Sequence, residues 1–372
     1  MSELADQVDA ILTGDDAERT GAYPGPPRRR PVHTGYVPAD RFDAGTVAAW
    51  GAAAVRALDD HGPLPGFDEG PVRAKLASEP IEDLRIDFED GYGTRPDDIE
   101  DRDARAAAIA LRTQPTPFSG IRIKSLEAPT RRRALRTLEI FTDAAAPPSG
   151  FRVTLPKVTS VRQVEAMVAV GEQLDVRFEI QIETPQAVLA MAELVHAAGP
   201  RCVGLHFGTY DYTAALGIAP AYQSMDHPAA DHAKAVMQVA AAAAGIPVSD
   251  GSTNVLPVGD TAAVRAAWAL HARLVRHSLE RGFYQGWDLH PAQLPTRFAA
   301  TYAFFRDGLP AAAARLRAYL DRVGGGIADE PATVRALAGY LVRGLDCGAL
   351  TEDEVHAACG LDGTALRAAS ER

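Results

Sequence analysis

The stretch Phe178-Glu179-Ile180-Gln181-Ile182-Glu183-Thr184-Pro185 is an apolar, β-like run that ends on an acid and then on a proline able to open a helix. A second run of the same kind follows one helix-length later, Gly204-Leu205-His206-Phe207-Gly208-Thr209-Tyr210-Asp211. A carboxylate at the exit of a buried strand, with a helix behind it, occupies the position where parallel α/β folds place metal ligands and catalytic groups. Each acid alone could be a helix N-cap or a salt-bridge partner. Two of them on successive strands point to a shared site.

Working outward, further short apolar runs alternate with helical segments. Strands are expected at Val32–Val37, Leu84–Phe88, Gly120–Ile123, Phe151–Leu155, Arg177–Ile182, Cys202–Phe207, Ile246–Val248 and Phe283–Trp287. Between them, amphipathic alanine-rich stretches predict helices over Arg102–Leu111, Thr130–Ala145, Val161–Leu174, Pro185–Ala198, Ala229–Ala244 and Thr261–Glu280. Ser160 with Gln163, and Thr184 with Pro185, supply good helix-start signals. Strand–helix alternation of this length predicts a (β/α)8 TIM barrel, the competing fold being a doubly wound open sheet. The expected organisation is an N-terminal arm over 1–30, the barrel over 31–306 and a helical C-terminal extension over 307–372. The arm ends in Gly25-Pro26-Pro27-Arg28-Arg29-Arg30-Pro31, and Gly324-Gly325-Gly326 breaks the extension.

Composition narrows the function classes. The 372 residues are 47% hydrophobic and 23% charged, ordinary for a globular protein. A net charge of −11 disfavours nonspecific binding to nucleic acid. The triplets Arg28–Arg30 and Arg131–Arg133 read as solvated surface or as local anion sites. Cys202, Cys347 and Cys359 are too far apart for a disulfide framework or zinc knuckle, which fits a reducing compartment. The sequence shows no signal-peptide pattern and no membrane span, so a cytoplasmic location is expected.

The chemistry gathers at strand ends. In Ile86-Asp87-Phe88-Glu89-Asp90-Gly91-Tyr92-Gly93 three acids crowd one strand exit, and such density needs a cation nearby or solvent around it. Arg122, between Ile121 and Ile123, is expected to enter the barrel lumen, where it could hold a carboxylate or pair with Asp87 or Glu89. Lys157 closes the run Thr154-Leu155-Pro156-Lys157 and is placed similarly. Glu183 and Asp211, oxygen donors with no His or Cys alongside, suit a hard divalent ion such as Mg²⁺. His227 and His232 have the wrong spacing for one helix face, and His290 reads as an anchor or a proton-transfer group.

These pieces, in this order, resemble the citrate lyase β-subunit and malyl-CoA lyase group, the HpcH/HpaI aldolase-like family of the pyruvate/phosphoenolpyruvate-binding barrels. The resemblance runs from Val32 to Phe305 and rests on Tyr36-Val37-Pro38-Ala39-Asp40-Arg41-Phe42, Asp87-Phe88-Glu89-Asp90, Arg122, Leu155-Pro156-Lys157, Ile182-Glu183-Thr184, Gly208-Thr209-Tyr210-Asp211 and Leu289-His290-Pro291-Ala292-Gln293. It implies Mg²⁺ or Mn²⁺ on Glu183 and Asp211. It also implies carbon–carbon cleavage or formation, through an enolate, of a small hydroxy or oxo acid or its CoA thioester. Arg122, Glu89, Asp90 and Lys157 become the catalytic candidates, and a homo-oligomer, trimer or hexamer, is expected. The chain departs from the family at Lys124-Ser125, where an asparagine is usual, at Tyr210, where a glutamate is usual, and in added length over Gly62–Glu82. A metal-dependent acyl-CoA thioesterase and a noncatalytic metabolite-binding barrel are the alternatives.

Overall fold

The computed structural model describes residues 5–13, 29–114, 116–321 and 331–371. Most of the expected arm, Arg28 of the first arginine triplet and the Gly324–Gly326 breaker lie outside the described residues. Eight strands form a single sheet: β1 (His33–Pro38), β2 (Asp83–Asp87), β3 (Phe118–Arg122), β4 (Arg152–Leu155), β5 (Arg177–Ile182), β6 (Cys202–Phe207), β7 (Val248–Ser249) and β8 (Gly286–Asp288). Their order, β7-β6-β5-β4-β3-β2-β1-β8, with parallel pairing from β1 through β7, is that of a nearly closed (β/α)8 barrel. The strands at Arg177–Ile182 and Cys202–Phe207 fall where the sequence puts them, and the others shift by one to three residues.

The chain divides into two compact units. The first contains Thr34–Thr46 and Asp83–Ser252 and so carries β2 to β7. Its strands are buried on both faces, with Leu84, Ile86, Ile121, Val153, Phe178, Ile180, Leu205 and Phe207 in the core. The alternate positions are polar and equally buried: Asp83, Arg85 and Asp87 on β2, Thr154 on β4, Glu179 and Gln181 on β5, His206 on β6. With a period of two, this places one polar file per strand on the opposite face from the apolar one. The helix Val161–Leu174 starts at the expected Ser160, which forms a capping box with Gln163. Thr184 caps Pro185–Leu189, with proline at its first turn.

Three details differ from the sequence reading. The single helix expected over Pro185–Ala198 is two, Pro185–Leu189 and Met191–Ala198, meeting at Ala190, which leaves the helical range at φ −99° and ψ 16°. Asp211 lies in the first turn of a helix, Thr209–Ala215. Arg133 is neither solvated nor an anion site: it joins two helices through Asp101 at 2.6 Å and Glu100 at 3.4 Å.

The second unit holds the described residues of Arg28–His33, Val47–Glu82 and Thr253–Arg372. The added length after Gly62 folds as a helix, Glu69–Ser78, capped by Asp68. It packs on the long helix Leu294–Leu320 in a core of Leu58, Val72, Leu76, Trp268, Leu294, Phe298, Phe305 and Leu341. Asp288 at the end of β8 is fully buried and binds His33 at 2.7 Å and Arg297 at 3.1 Å. His290 accepts the Ala292 N–H at 3.2 Å and starts a helical turn, the contact that the anchoring reading expects. No helix among the described residues is long and apolar enough to cross a membrane.

Candidate functional site

All six sequence-derived site residues lie in the first unit, at or just beyond the C-terminal ends of β2 to β6. Asp87, the last residue of β2, and Arg122, the last of β3, are register partners. Both side chains are buried, and the carboxylate accepts the guanidinium fork at 2.7 Å on each oxygen. The same carboxylate accepts the N–H of Glu89 at 2.9 Å and of Gly91 at 2.8 Å, which folds the following turn. Asp87 is therefore fully committed to structure, and the two acids after it are left to project from the turn.

Arg122 keeps Nη1 for the site: it lies 3.4 Å from Gln181 Oε1 and 3.5 Å from Glu89 Oε2. The Tyr36 ring stacks under its Cζ at 4.9 Å. Despite burial, the Asp87 and Glu89 carboxylates hold Arg122 firmly in its charged form.

Lys157 follows β4 with φ 51°, the left-handed region that a non-glycine residue seldom adopts. In that conformation its backbone N–H donates to Glu183 Oε1 at 2.7 Å. Its ammonium lies 3.0 Å from each of Glu89 Oε1, Asp90 Oδ2 and Asp211 Oδ2. Burial works against the charge on Lys157, but Glu183, Glu89 and Asp90 outweigh it and raise its pKa.

Glu183 is 1% exposed. Its second oxygen accepts from the Gln181 amide, and each oxygen retains a lone pair. Burial pushes its carboxyl up to about 8, with Lys157 opposing and Asp211 reinforcing. Gly208 makes this packing possible, because a Cβ there would lie 2.5 Å from Glu183 Oε2. Burial likewise pushes Glu89 up to about 7. Asp90 moves the other way: burial would raise it, yet hydrogen bonding with Glu89 and the Lys157 charge lower it.

The arrangement is a ring of carboxylates short of positive charge. Among the described residues, no three His, Cys, Asp or Glu side chains converge as a ready-made metal shell. The donors still fit a hard divalent ion that takes few protein ligands and completes its shell with water and substrate oxygens. They are all oxygens, Glu183 sits buried with its carboxyl raised by that burial, and an ammonium already stands against Asp211.

Gln181 and Tyr36 were missed as site residues. Gln181 shares the inward parity of Glu179 and Glu183, a signal present in the opening stretch. The histidine pair does not form a second centre: His227 caps a helix through the Ala229 N–H, and His232 is exposed.

The family model described as Domain of unknown function (DUF6986) matches residues 12–372. Among curated protein sequences, none matches the chain. Solved structures do. A citrate lyase of Burkholderia xenovorans LB400 is 20% identical with a TM-score of 0.64, over 90% of this chain and 97% of that one. The CitE protein of Mycobacterium tuberculosis, in complex with magnesium, acetoacetate and coenzyme A, is 21% identical with a TM-score of 0.56, over 87% and 100%. The same protein with magnesium and pyruvate is 20% identical with a TM-score of 0.50, over 85% and 98%. At such identities the likeness establishes a common barrel fold, the one the sequence resemblance implied.

The chain belongs to the DUF6986 family.

Proposed function

We propose that this DUF6986 protein is a Mg²⁺-dependent carbon–carbon lyase or aldolase acting on a small hydroxy or oxo acid, free or as its CoA thioester. The observation that carries the reading is the gathering of Arg122, Glu89, Asp90, Lys157, Glu183 and Asp211 at one end of the strands, with carboxylates in excess. The magnesium, acetoacetate, pyruvate and coenzyme A complexes of the fold relatives support the same reading.

Glu183 and Asp211 would hold the ion, which when bound supplies Lewis-acid polarisation of a substrate oxygen. The other roles belong to the chain itself. Arg122, fixed by the Asp87 fork and the Tyr36 ring, turns Nη1 to a substrate carboxylate or carbonyl oxygen. Preorganised in this way, it offsets the negative charge that develops as an enolate forms. Glu89, with its carboxyl near 7, is matched to proton transfer at neutral pH. In the cleavage direction it takes the hydroxyl proton as the carbon–carbon bond breaks, leaving a carbonyl product and an enolate that is then protonated. Asp90 is the second candidate for that base.

A crystal soaked with Mg²⁺ and oxaloacetate or pyruvate tests the site. Density for an ion on Glu183 and Asp211 is expected, and a metal bound elsewhere or nowhere overturns the reading. A product assay on hydroxy acids and their CoA thioesters then separates cleavage from thioester hydrolysis. Assembly as a trimer or hexamer is part of the proposal and is checked by light scattering.

A further inference from the structure

We infer that Lys157 is a tethered counter-cation that holds the metal-free mouth together, leaves it when a divalent ion enters, and then meets the anionic substrate. The inference rests on the proposed metal reading and goes beyond it by assigning an order of binding. The Lys157 ammonium stands 3.0 Å from Asp211 Oδ2, on one of the two carboxylates that would hold the ion, and at the same distance from Glu89 and Asp90. An ammonium and a divalent ion on one carboxylate repel each other strongly at that range. Entry of the ion therefore favours departure of the ammonium.

Of the two cations present, only Lys157 can yield. Arg122 is buried and locked in a fork by Asp87. Lys157 has a four-carbon stem and a side chain 25% exposed, so it can swing outward without any backbone movement. Its N–H meanwhile stays on Glu183 Oε1, which explains why the chain tolerates the left-handed φ of 51° at this residue. One residue thus positions a metal ligand through its backbone and competes with the metal through its side chain. Once displaced, the ammonium is an unpaired positive charge beside the loaded site. An anionic substrate then binds after the metal.

The test uses the full chain and four proteins: wild type, Lys157→Met, Lys157→Gln and Lys157→Arg. Mn²⁺ binding is measured by calorimetry, and oxaloacetate binding is measured on the Mn²⁺-loaded forms. The neutral variants are expected to bind Mn²⁺ about tenfold more tightly than wild type and, once loaded, oxaloacetate about tenfold more weakly. Lys157→Arg should stay within about threefold of wild type for the metal. Wild type that binds Mn²⁺ together with neutral variants that bind it equally or less tightly overturns this inference and leaves the metal reading standing. No Mn²⁺ binding by any of the four sinks both. A measurement on wild type alone guards against misfolded variants: acetylation of Lys157 by acetic anhydride, read by mass spectrometry, should rise several-fold with Mg²⁺. Unchanged labelling in a protein that binds Mg²⁺ refutes the exchange.

Discussion

Glu179 and Glu183 share strand β5's inward file, four residues apart, and their carboxyls are driven in opposite directions. Burial would raise both. At Glu179, Arg85 at 3.0 Å and His206 at 3.0 Å overcome it and hold the carboxyl well below the usual carboxylate range. At Glu183 burial wins, and the carboxyl rises to about 8. Around Glu179 the charges close on one another: Asp83 pairs with Arg85 at 2.8 Å, and Thr154 donates to Glu179. Around Glu183, the acids Asp87, Glu89, Asp90 and Asp211 meet two cations among the described residues, Arg122 and Lys157. One layer of the lumen is neutralised internally and serves the fold. The layer above it carries more acids than cations, which is what the proposed metal site draws on.

The most damaging way to break the comparison is to open the closed layer. Glu179→Ala leaves the fully buried Arg85 with Asp83 as its remaining carboxylate partner and takes from His206 the carboxylate at 3.0 Å. Removing one member of a buried ion pair costs about 3–5 kcal/mol. Equilibrium unfolding in urea should show a loss of this size, and a loss below about 1 kcal/mol would mean that the lower charges are not interdependent.

Next in size is the guanidinium of the open layer. Arg122→Lys keeps the charge and loses the fork to Asp87, so Nη1 is no longer aimed. If Arg122 offsets developing charge, kcat falls about 10²–10³-fold, the usual cost of one preorganised donor. A fall in kcat/KM carried by KM alone would instead make it a ground-state binding group.

How much of this was legible in the sequence depends on the layer. The acids of the mouth stand out because they end apolar runs beside proline or glycine, as at Glu183-Thr184-Pro185 and Asp90-Gly91. The closed layer is written in the same alternation, Leu84-Arg85-Ile86 and Phe178-Glu179-Ile180, but a charged residue inside a strand does not announce its partner. Arg85 reaches Glu179 across two intervening strands, and Gly120 clears its path: a Cβ there would lie 1.9 Å from Arg85 Nη1. Pairings of that kind depend on register and strand order, which local patterning does not carry. Asp211 shows the same limit. Its place after β6 was readable, but its seat in a helical first turn within reach of Lys157 was not.

The third prediction sharpens the contrast through pH. The Glu183 carboxyl is raised in the fold, so between about pH 4.5 and 8 the folded chain holds a proton that the unfolded chain has lost. Its stabilising contribution is complete below that window and is lost as pH rises through it. Glu179 is lowered, so its contribution is complete above the ordinary carboxylate range and is lost only in strong acid. Wild type should therefore lose about 3–4 kcal/mol between pH 5 and pH 8 that Glu183→Gln does not lose, measured by unfolding at both pH values. Saturating Mg²⁺ should flatten the wild-type slope. A slope identical in wild type and Glu183→Gln would show that the mouth is not charge-strained at Glu183.

The smallest effect is the most discriminating for chemistry. Asp90 has a side chain 55% exposed, and its bond to Lys157 is a surface ion pair of about 0–1 kcal/mol. Asp90→Asn should leave folding within that margin. Glu89, its neighbour, is buried, touches both Lys157 and Arg122, and alone of the two has its carboxyl pushed up to about 7. If Glu89 is the base, Asp90→Asn keeps the acid limb of the kcat/KM–pH profile near 7, while Glu89→Gln removes that limb together with most of the activity. If Asp90→Asn removes the limb instead, the base is the exposed acid. The raised carboxyl of Glu89 is then, like that of Glu183, a mark of missing cation rather than of proton transfer.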